Sequence, residues 1–281
     1  CPLRIFWERG KIISVQVINS DSTLPSKVLL PRMLEPHSHI DKAFTWNDFP
    51  NLEATYEGAL QANLEEHKTR TVEKVRSRSE RALKIALRNG LRAIRTHVDS
   101  FGLSGHQNLE TLFEVKREWQ PLIQLQCVAL VPLEYWDTEE GRLLASRVAN
   151  EGGLLGGVIG PPYDNKKSFL NLLNLVKLAS QLNCGIDLHI DESDQYPAYG
   201  LKKLIRVLKQ TELRVPITCS HSSSMGFLSS GELRHLAEQM SHYGVNVIAL
   251  PLTNFWLLGR HSNATPISRP MAPIKQLQQA G

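Results

Sequence analysis

Histidines at regular spacing are the residues of this sequence best suited to chemistry. His37 and His39 stand two apart in the run Glu35–Lys42, and His189 and His221 end two later apolar runs. Side chains two apart in a strand point to the same side, so the first pair can hold one ion together. Neutral imidazoles suit Zn²⁺ or Fe²⁺, and a catalytic site keeps one position open for water. The four histidines therefore predict one divalent metal ion, zinc or iron.

A metal-activated water also needs a carboxylate that moves protons. The metal lowers the pKa of that water, and Glu192, at the end of a predicted strand, is placed to carry the proton. Lys166 and Lys167 follow a predicted strand instead of ending it. A carbamylated lysine that bridges two metals would have to end that strand, so the sequence favours a single metal.

A further polar pair, His97 and Asp99, shares one face of another predicted strand. The two residues are either hydrogen-bond partners of the metal ligands or plain polar residues of a barrel interior. We favour the second interpretation.

The elements that must position these side chains alternate between strand and helix patterns. β-Branched apolar runs predict strands at Val28–His39, Leu91–Asp99, Ile123–Val131, Leu154–Gly160, Cys184–Glu192, Val215–His221 and Val245–Pro251. Helical patterns follow at Thr71–Arg88, Leu109–Trp119, Glu139–Ala149, Ser168–Gln181, Tyr199–Lys209, Ser230–His242 and Met271–Ala280. Gly90, Gly185 and Gly244 fall between a helix and the next strand, where glycines that cap helices occur.

This alternation predicts an α/β fold with a parallel sheet covered by helices. Seven strands favour a (β/α)₈ TIM barrel, in which side chains at the carboxyl ends of the strands converge on one site. A doubly wound open sheet is the alternative, and the absence of a glycine-rich nucleotide-binding motif disfavours it.

The N-terminal residues have a different pattern. Leu3–Trp7 and Lys11–Val17 predict two short strands around Arg9 and Gly10, and Asp21–Ser26 is rich in turn residues. We expect residues 1–31 to be part of a flanking β-domain and residues 32–281 to be the barrel. Because the chain starts with Cys1 and stops where the helix before strand eight should end, we expect a fragment whose barrel is truncated before that strand.

Composition and charge exclude several classes of protein. Of the 281 residues, 42% are hydrophobic and 21% charged, which excludes a disordered or collagen-like chain. No apolar run approaches the roughly 18 residues of a membrane-spanning helix. The four cysteines form no C-x-x-C pair, which indicates core residues in a reducing compartment. With no signal-peptide pattern, we expect a cytoplasmic protein that binds no membrane.

The net charge of +4 is a weak bias, and its basic residues concentrate in residues 68–92. Lys74, Arg78, Arg81 and Arg88 lie near one helical face. They form either a nucleic-acid footprint or the solvated face of an outer helix. We favour the solvated face, and expect no nucleic-acid partner, because no aromatic residues interleave.

The barrel portion resembles the cytosine deaminase-like branch of the amidohydrolase superfamily, a family of metal-dependent hydrolases. The segments that carry the resemblance occur in order at Glu35–Lys42, Arg95–Asp99, Asp187–Glu192, Ser220–Met225, Pro251–Asn254 and Gly259–Arg260. The stretch Gly10–Ile13 is similar to the N-terminal strands of the family's flanking β-sandwich.

The resemblance implies a role for each motif residue. His37, His39 and His189 would bind one divalent ion, iron or zinc. Glu192 would protonate a ring nitrogen and pass a proton to the leaving amine, and His221 would position or polarise the water. Lys42 is either a substrate contact or a surface lysine. The implied reaction is hydrolytic deamination of a small nitrogen heterocycle, such as a cytosine- or isocytosine-like pyrimidine or a triazine.

Two departures from the family pattern qualify this expectation. Cytosine deaminases carry a glutamine after strand three that contacts the pyrimidine edge, whereas Pro132 or Leu133 stands there, which argues against cytosine itself. We expect Leu133 to face the substrate. The family's fourth metal-site residue is an aspartate that ends strand eight, and no residue up to Gly281 can take that role.

These departures keep other functions open. One is hydrolysis of a cyclic amide or an N-alkylamine within the same superfamily. Another is a catalytically inactive fragment or binding protein. For the enzyme, we expect a small heterocyclic substrate and, as one possible assembly, a homo-oligomer.

Overall fold

The structure is a computed structural model that describes residues 2–18, 27–259, 263–265 and 268–281. The chain divides into two compact units, Cys1–Arg32 and Met33–Gly281. The division falls one residue from the expected boundary, while the assignment of the first unit to a β-sandwich stays a prediction. Cys1, the turn-rich Asp21–Ser26 and Arg260 of the last family motif lie outside the described residues.

The first unit contains one antiparallel hairpin. Strand β1 spans Leu3–Glu8 and strand β2 spans Lys11–Val17. The two turn residues Arg9 and Gly10 both have positive φ angles, +48° and +76°. A two-residue turn of this kind matches the natural twist of a hairpin, which explains why a glycine stands there.

The second unit contains a parallel sheet whose strands are hydrogen-bonded in chain order. Its strands in the described residues are β3 (Met33–Ser38), β4 (Leu91–Asp99), β5 (Gln124–Leu130), β6 (Leu154–Ile159), β7 (Gly185–Ile190), β8 (Ile217–His221) and β9 (Val245–Ile248). A doubly wound sheet reverses its strand order partway across. No reversal occurs among these seven strands, so the open-sheet alternative is wrong and the barrel prediction is confirmed.

The sheet curls far enough for distant strands to touch across its interior. Arg95 on β4 donates hydrogen bonds to Asp187 on β7, at 2.8 Å, and to Thr218 on β8, at 3.1 Å. Strand β7 shows how the sequence produces this arrangement. Ile186, Leu188 and Ile190 join the apolar core, while the alternating Asp187 and His189 take part in the polar contacts of the interior.

Helices connect the strands. They are α1 (Tyr56–His67), α2 (Val72–Arg88), α3 (Gly102–Trp119), α4 (Glu139–Asn150), α5 (Asn165–Gln181), α6 (Tyr199–Thr211), α7 (Ser230–Tyr243), α8 (Pro251–Leu257) and α9 (Ile274–Ala280). Among the described residues, no helix is both long enough and apolar enough to cross a membrane. Apolar side chains of the helices, such as Leu172, Val176, Leu204 and Leu208, are buried in the same core as the strands.

Helix ends are partly as predicted. Gly90 and Gly244 have φ angles of +81° and +67° at the carboxyl ends of α2 and α7. Gly185 instead lies inside β7, and Asn183 takes the left-handed conformation after α5, with φ +49°. Asparagine tolerates that conformation better than most residues, which explains why no glycine is needed there.

Candidate active site

The four predicted histidines meet at the carboxyl ends of β3, β7 and β8. The centre of the His189 ring lies 4.7 Å from that of His37, 5.1 Å from that of His39 and 5.2 Å from that of His221. His97 on β4 joins them, with its ring centre 4.2 Å from that of His37. Five imidazoles therefore share one buried cluster.

The nitrogen atoms of this cluster suit a divalent metal. One ring nitrogen each of His37, His189 and His221 lies within 4.8 Å of the others. The Nε2 atoms of His39 and His189 face each other at 3.1 Å, and the Nδ1 atoms of both rings are buried without a hydrogen-bond partner. Imidazole nitrogens that converge on one point, as the two Nε2 atoms do, fit zinc or iron(II).

Burial disfavours the charged form of four of these rings. Desolvation, followed by the electrostatic effect of His221, Arg95 and Lys42, lowers the pKa of His37 to about 3. Desolvation likewise holds the pKa values of His39, His97 and His189 well below the ordinary value. A neutral imidazole is the form that binds a metal, so the burial prepares the set for that role.

A chain of hydrogen bonds behind His37 fixes which of its nitrogens can bind. The Ser220 hydroxyl donates its single proton to Asp187 Oδ1 at 2.9 Å, and Arg95 pairs with the other oxygen of that carboxylate at 2.8 Å. Ser220 Oγ, 2.9 Å from His37 Nδ1, therefore has to accept a proton from that nitrogen. The lone pair of His37 Nε2 is left free for a ligand.

Glu192 lies beside His221, as the family pattern implies. Its Oε1 atom is 3.0 Å from His221 Nδ1, and its side chain is 11% exposed. The buried Asn254, near the start of α8, brings its amide nitrogen within 3.1 Å of the same Nδ1. When Nδ1 carries its single proton, the Glu192 carboxylate accepts it and orients the His221 ring, and the Asn254 amide lies beside the same atom without donating to it.

The backbone before Glu192 is held by a helix end. Asp191 has φ +55°, and its carboxylate accepts hydrogen bonds from the backbone N–H groups of Gly200 and Leu201 in the first turn of α6. A side chain at Gly200 would come within 2.9 Å of Asp191 Oδ1 and 2.8 Å of Ile190, so glycine is required there. This anchor places the next residue, Glu192, in the wall of the cavity.

One cavity of about 1090 Å³ is lined by four of the five imidazoles. His37, His39, His189, His221, Glu192 and Lys42 all line it. Aromatic side chains form much of the remaining wall, namely Phe44, Trp46, Phe49, Tyr56 and Trp256. The structure thus brings together six of the seven predicted site residues.

Leu133 is the predicted residue that lies elsewhere. It is buried in a short 3-10 helix, Leu133–Asp137, and lines an adjoining cavity of about 590 Å³. A side chain at Gly157 would come within 2.4 Å of Leu133 Cδ2, so the leucine packs directly over that glycine. Its contact with a substrate stays a prediction.

Known proteins resemble the chain in both sequence and structure. A pterin deaminase of Rhizobium rhizogenes is 30% identical over 255 residues, which cover 89% of this chain and 57% of that protein. An N-isopropylammelide isopropyl amidohydrolase of Pseudomonas is 26% identical over 199 residues, which cover 68% of this chain and 49% of that protein. The chain thus spans about half the length of these curated relatives. No family model matches the chain.

The solved structure of 5-methylcytosine deaminase from Klebsiella pneumoniae agrees with the fold. It superimposes on 99% of this chain with a TM-score of 0.80 and 24% identity, and the match covers 69% of that structure's chain. The chain belongs to the cytosine deaminase-like branch of the amidohydrolase superfamily. The family resemblance carried by the sequence motifs is confirmed.

Beside the histidines, the structure has a buried network of charges that the sequence did not reveal. Arg70, between α1 and α2, is 1% exposed. Its guanidinium donates to Glu66 at 2.7 Å and to Asp99 at 3.0 Å, and it lies 3.6 Å from Asp41. Lys42 donates to both carboxylate oxygens of Asp99 at 3.0 Å. The network links the cavity wall to helix α1.

The basic face of α2 is accordingly only partly solvated. Lys74, Arg81 and Arg88 are exposed, as expected for an outer helix. Arg78 instead donates to the buried Glu66 at 2.5 Å and is 14% exposed. The prediction of a solvated face is therefore wrong for Arg78, because the missed helix α1 supplies a carboxylate in front of it.

The environment of Asp99 also differs from the one favoured by the sequence analysis, that of a plain polar residue in the barrel interior. It ends β4 and lines the cavity with 21% of its side chain exposed, so it is not an interior barrel residue. His97, in contrast, is fully buried, 3.7 Å from Asp187, and neither of its ring nitrogens has a hydrogen-bond partner. The two residues of this pair have separate environments.

Removing the Ser220 hydroxyl should weaken metal binding. In Ser220→Ala, His37 Nδ1 and Asp187 Oδ1 lose the group between them, and the ring is free to take the other tautomer. We expect the affinity for Zn²⁺ to fall by about 10- to 100-fold, as outer-shell substitutions do. Competition with a chromophoric chelator measures this affinity. Ser146→Ala on helix α4, where the exposed hydroxyl bonds only Arg142 O, is the control. Equal affinities of Ser220→Ala and wild type would contradict the tautomer argument.

Proposed function

We propose that the protein is a metal-dependent hydrolase that releases ammonia from a small nitrogen heterocycle. The observation that carries the proposal is the convergence of His37, His39, His189 and His221 on one cavity, with Glu192 bonded to His221. The relationship to a pterin deaminase makes pterin the first substrate to test, and cytosine, isocytosine and aminotriazines follow. The substrate would be a small molecule.

Some of these residues would bind the metal ion, and Glu192 would transfer protons. His37, His39 and His189 would hold one zinc or iron(II) ion through neutral imidazole nitrogens. When bound, that ion supplies a Lewis acid that makes water nucleophilic at neutral pH. Glu192 takes a proton from the attacking water and gives it to a ring nitrogen of the substrate. The carbon–nitrogen bond then breaks, and a further proton passed through Glu192 leaves with the amine as ammonia.

His221 would position the groups that transfer the proton, and Lys42 would contact the substrate. His221 keeps the Glu192 carboxylate in place through the 3.0 Å contact and orients the water. Lys42 lines the same cavity, where it would contact an oxygen of the heterocycle.

Ammonia release should depend on the metal. We expect protein stripped with a chelator to lose activity on the substrate panel and to regain it when Zn²⁺ or Fe²⁺ is added back, because a water pKa near 7 requires the ion. A coupled ammonia assay, with metal content determined on the same samples, measures this. Metal-loaded protein that releases no ammonia from any member of the panel would contradict the proposal.

A second candidate is release of an alkylamine. The relationship to N-isopropylammelide isopropyl amidohydrolase and the apolar wall formed by Trp46 and Trp256 favour it. Mass spectrometry of the products separates the two, since isopropylamine would replace ammonia.

A further inference from the structure

The cavity wall contains a paired hydrogen-bond donor and acceptor. The proposed reaction gives a role to the donor, Lys42, and none to the acceptor, Asp99. Lys42 Nζ lies 3.0 Å from both carboxylate oxygens of Asp99. The two side chains are 19% and 21% exposed, and both line the cavity that holds the histidines. A carboxylate and an ammonium group therefore stand side by side within reach of a bound heterocycle.

Both groups have hydrogen-bonding capacity left. Asp99 Oδ2 accepts hydrogen bonds from Lys42, from Arg70 at 3.0 Å and from Asn63 at 3.5 Å. Within the described residues, Asp99 Oδ1 accepts a hydrogen bond from Lys42 alone. A carboxylate oxygen has two lone pairs, and an ammonium group has three protons. One acceptor site on Asp99 Oδ1 and one donor proton on Lys42 thus remain for a ligand.

The pair is held rigidly and in its charged form. Arg70 is 1% exposed and forms an ion pair with Asp99, and the same guanidinium donates a hydrogen bond to Glu66 at 2.7 Å. Although burial opposes it, attraction to Lys42 and Arg70 lowers the pKa of Asp99 to about 2. The carboxylate is a fixed acceptor that does not have to reorganise when a ligand binds.

We propose that Asp99 and Lys42 together recognise a cyclic amide edge of the substrate, with Asp99 accepting the ring N–H and Lys42 donating to the adjacent carbonyl oxygen. This inference rests on the proposed function and deepens it. It narrows the substrates to amino heterocycles that carry an N–H beside a C=O in the ring. It also assigns specificity to Asp99, which would recognise the substrate edge from the end of β4, while the position of the cytosine deaminase glutamine holds Pro132 or Leu133.

Ligands without a leaving amine test this recognition apart from turnover. We would measure by calorimetry the affinity of metal-loaded protein for pteridin-4(3H)-one and for its 3-methyl derivative, which lacks the N–H. Wild type should bind the N–H ligand about 10- to 100-fold more tightly, as expected for a hydrogen bond to a charged group. In Asp99→Asn, that preference should shrink to about threefold or less, because a neutral amide makes the weaker bond.

The ratio of two affinities within one variant does not depend on the fraction of folded protein. Glu118→Gln removes a carboxylate that also pairs with an arginine, Arg76, but lies outside the cavity, and it should keep the full preference. Equal affinities in wild type, no binding of either ligand, or an unchanged preference in Asp99→Asn would overturn the inference. A preference without ammonia release would instead contradict the proposed function alone.

Discussion

Glu192→Gln should release ammonia about 10²- to 10⁴-fold more slowly than wild type while retaining its metal. Glutamine has nearly the same shape as glutamate and can still accept a hydrogen bond from His221, but it cannot carry a proton. The lost rate therefore measures proton transfer rather than packing. We expect kcat to fall and KM to change little, since the substitution leaves the aromatic walls and Lys42 in place.

The matched control is Glu118→Gln, the same chemical change on the outer face of α3, where Glu118 pairs with Arg76 at 2.9 Å. Its rate should equal that of wild type. Metal analysis of both variants is essential, because loss of metal would mimic loss of the proton carrier. A Glu192→Gln protein that keeps its metal and stays within tenfold of the wild-type rate would contradict the assigned role.

Arg70→Met should lower the free energy of unfolding by about 3–5 kcal/mol, the usual cost of removing one member of a buried ion group. Arg70 is 1% exposed and contacts the carboxylates of Glu66, Asp99 and, at 3.6 Å, Asp41. Methionine fills a similar volume but leaves these buried negative charges without their shared partner. Urea denaturation followed by circular dichroism measures the change.

Arg76→Met provides the comparison. Arg76 also contacts several carboxylates, at 2.6 Å for Glu114 and 2.9 Å for Glu118, but it is 32% exposed. Solvent screens such pairs, so this substitution should cost less than about 1 kcal/mol. If the two variants lose equal stability, burial is not what makes the Arg70 network strong.

The barrel could be predicted from sequence because its signals are local. Alternation such as that of Ile186, Leu188 and Ile190 with Asp187 and His189 marks a strand that is apolar outside and polar inside. Helix α3 begins at Gly102, seven residues before the predicted start, because its first turns are glycine-rich and weakly patterned. Helix α1 was missed for a related reason, since Glu66 is its one buried residue.

The site was only partly predictable. The histidines and Glu192 follow strand patterns, and the family motifs place them in order. The roles of Arg70 and Ser220 carry no such signal, because a lone arginine after a helix is ordinary and the motif that begins at Ser220 does not indicate what its hydroxyl bonds. Their partners, Asp99 and Asp187, are 29 and 33 residues away in the chain, so only the curled sheet shows the pairing.

Helix α1 has an unusual attachment to the rest of the barrel. Its apolar side chains Leu60 and Leu64 are each 50% exposed, and its last turn is held through Glu66 by the guanidinium groups of Arg70 and Arg78. Ion pairs, more than apolar packing, therefore hold this wall of the cavity in place. Elements with few buried apolar contacts open at a lower free energy than the core. Opening of α1 alone would therefore uncover this wall of the cavity while the strands that align the histidines stay folded.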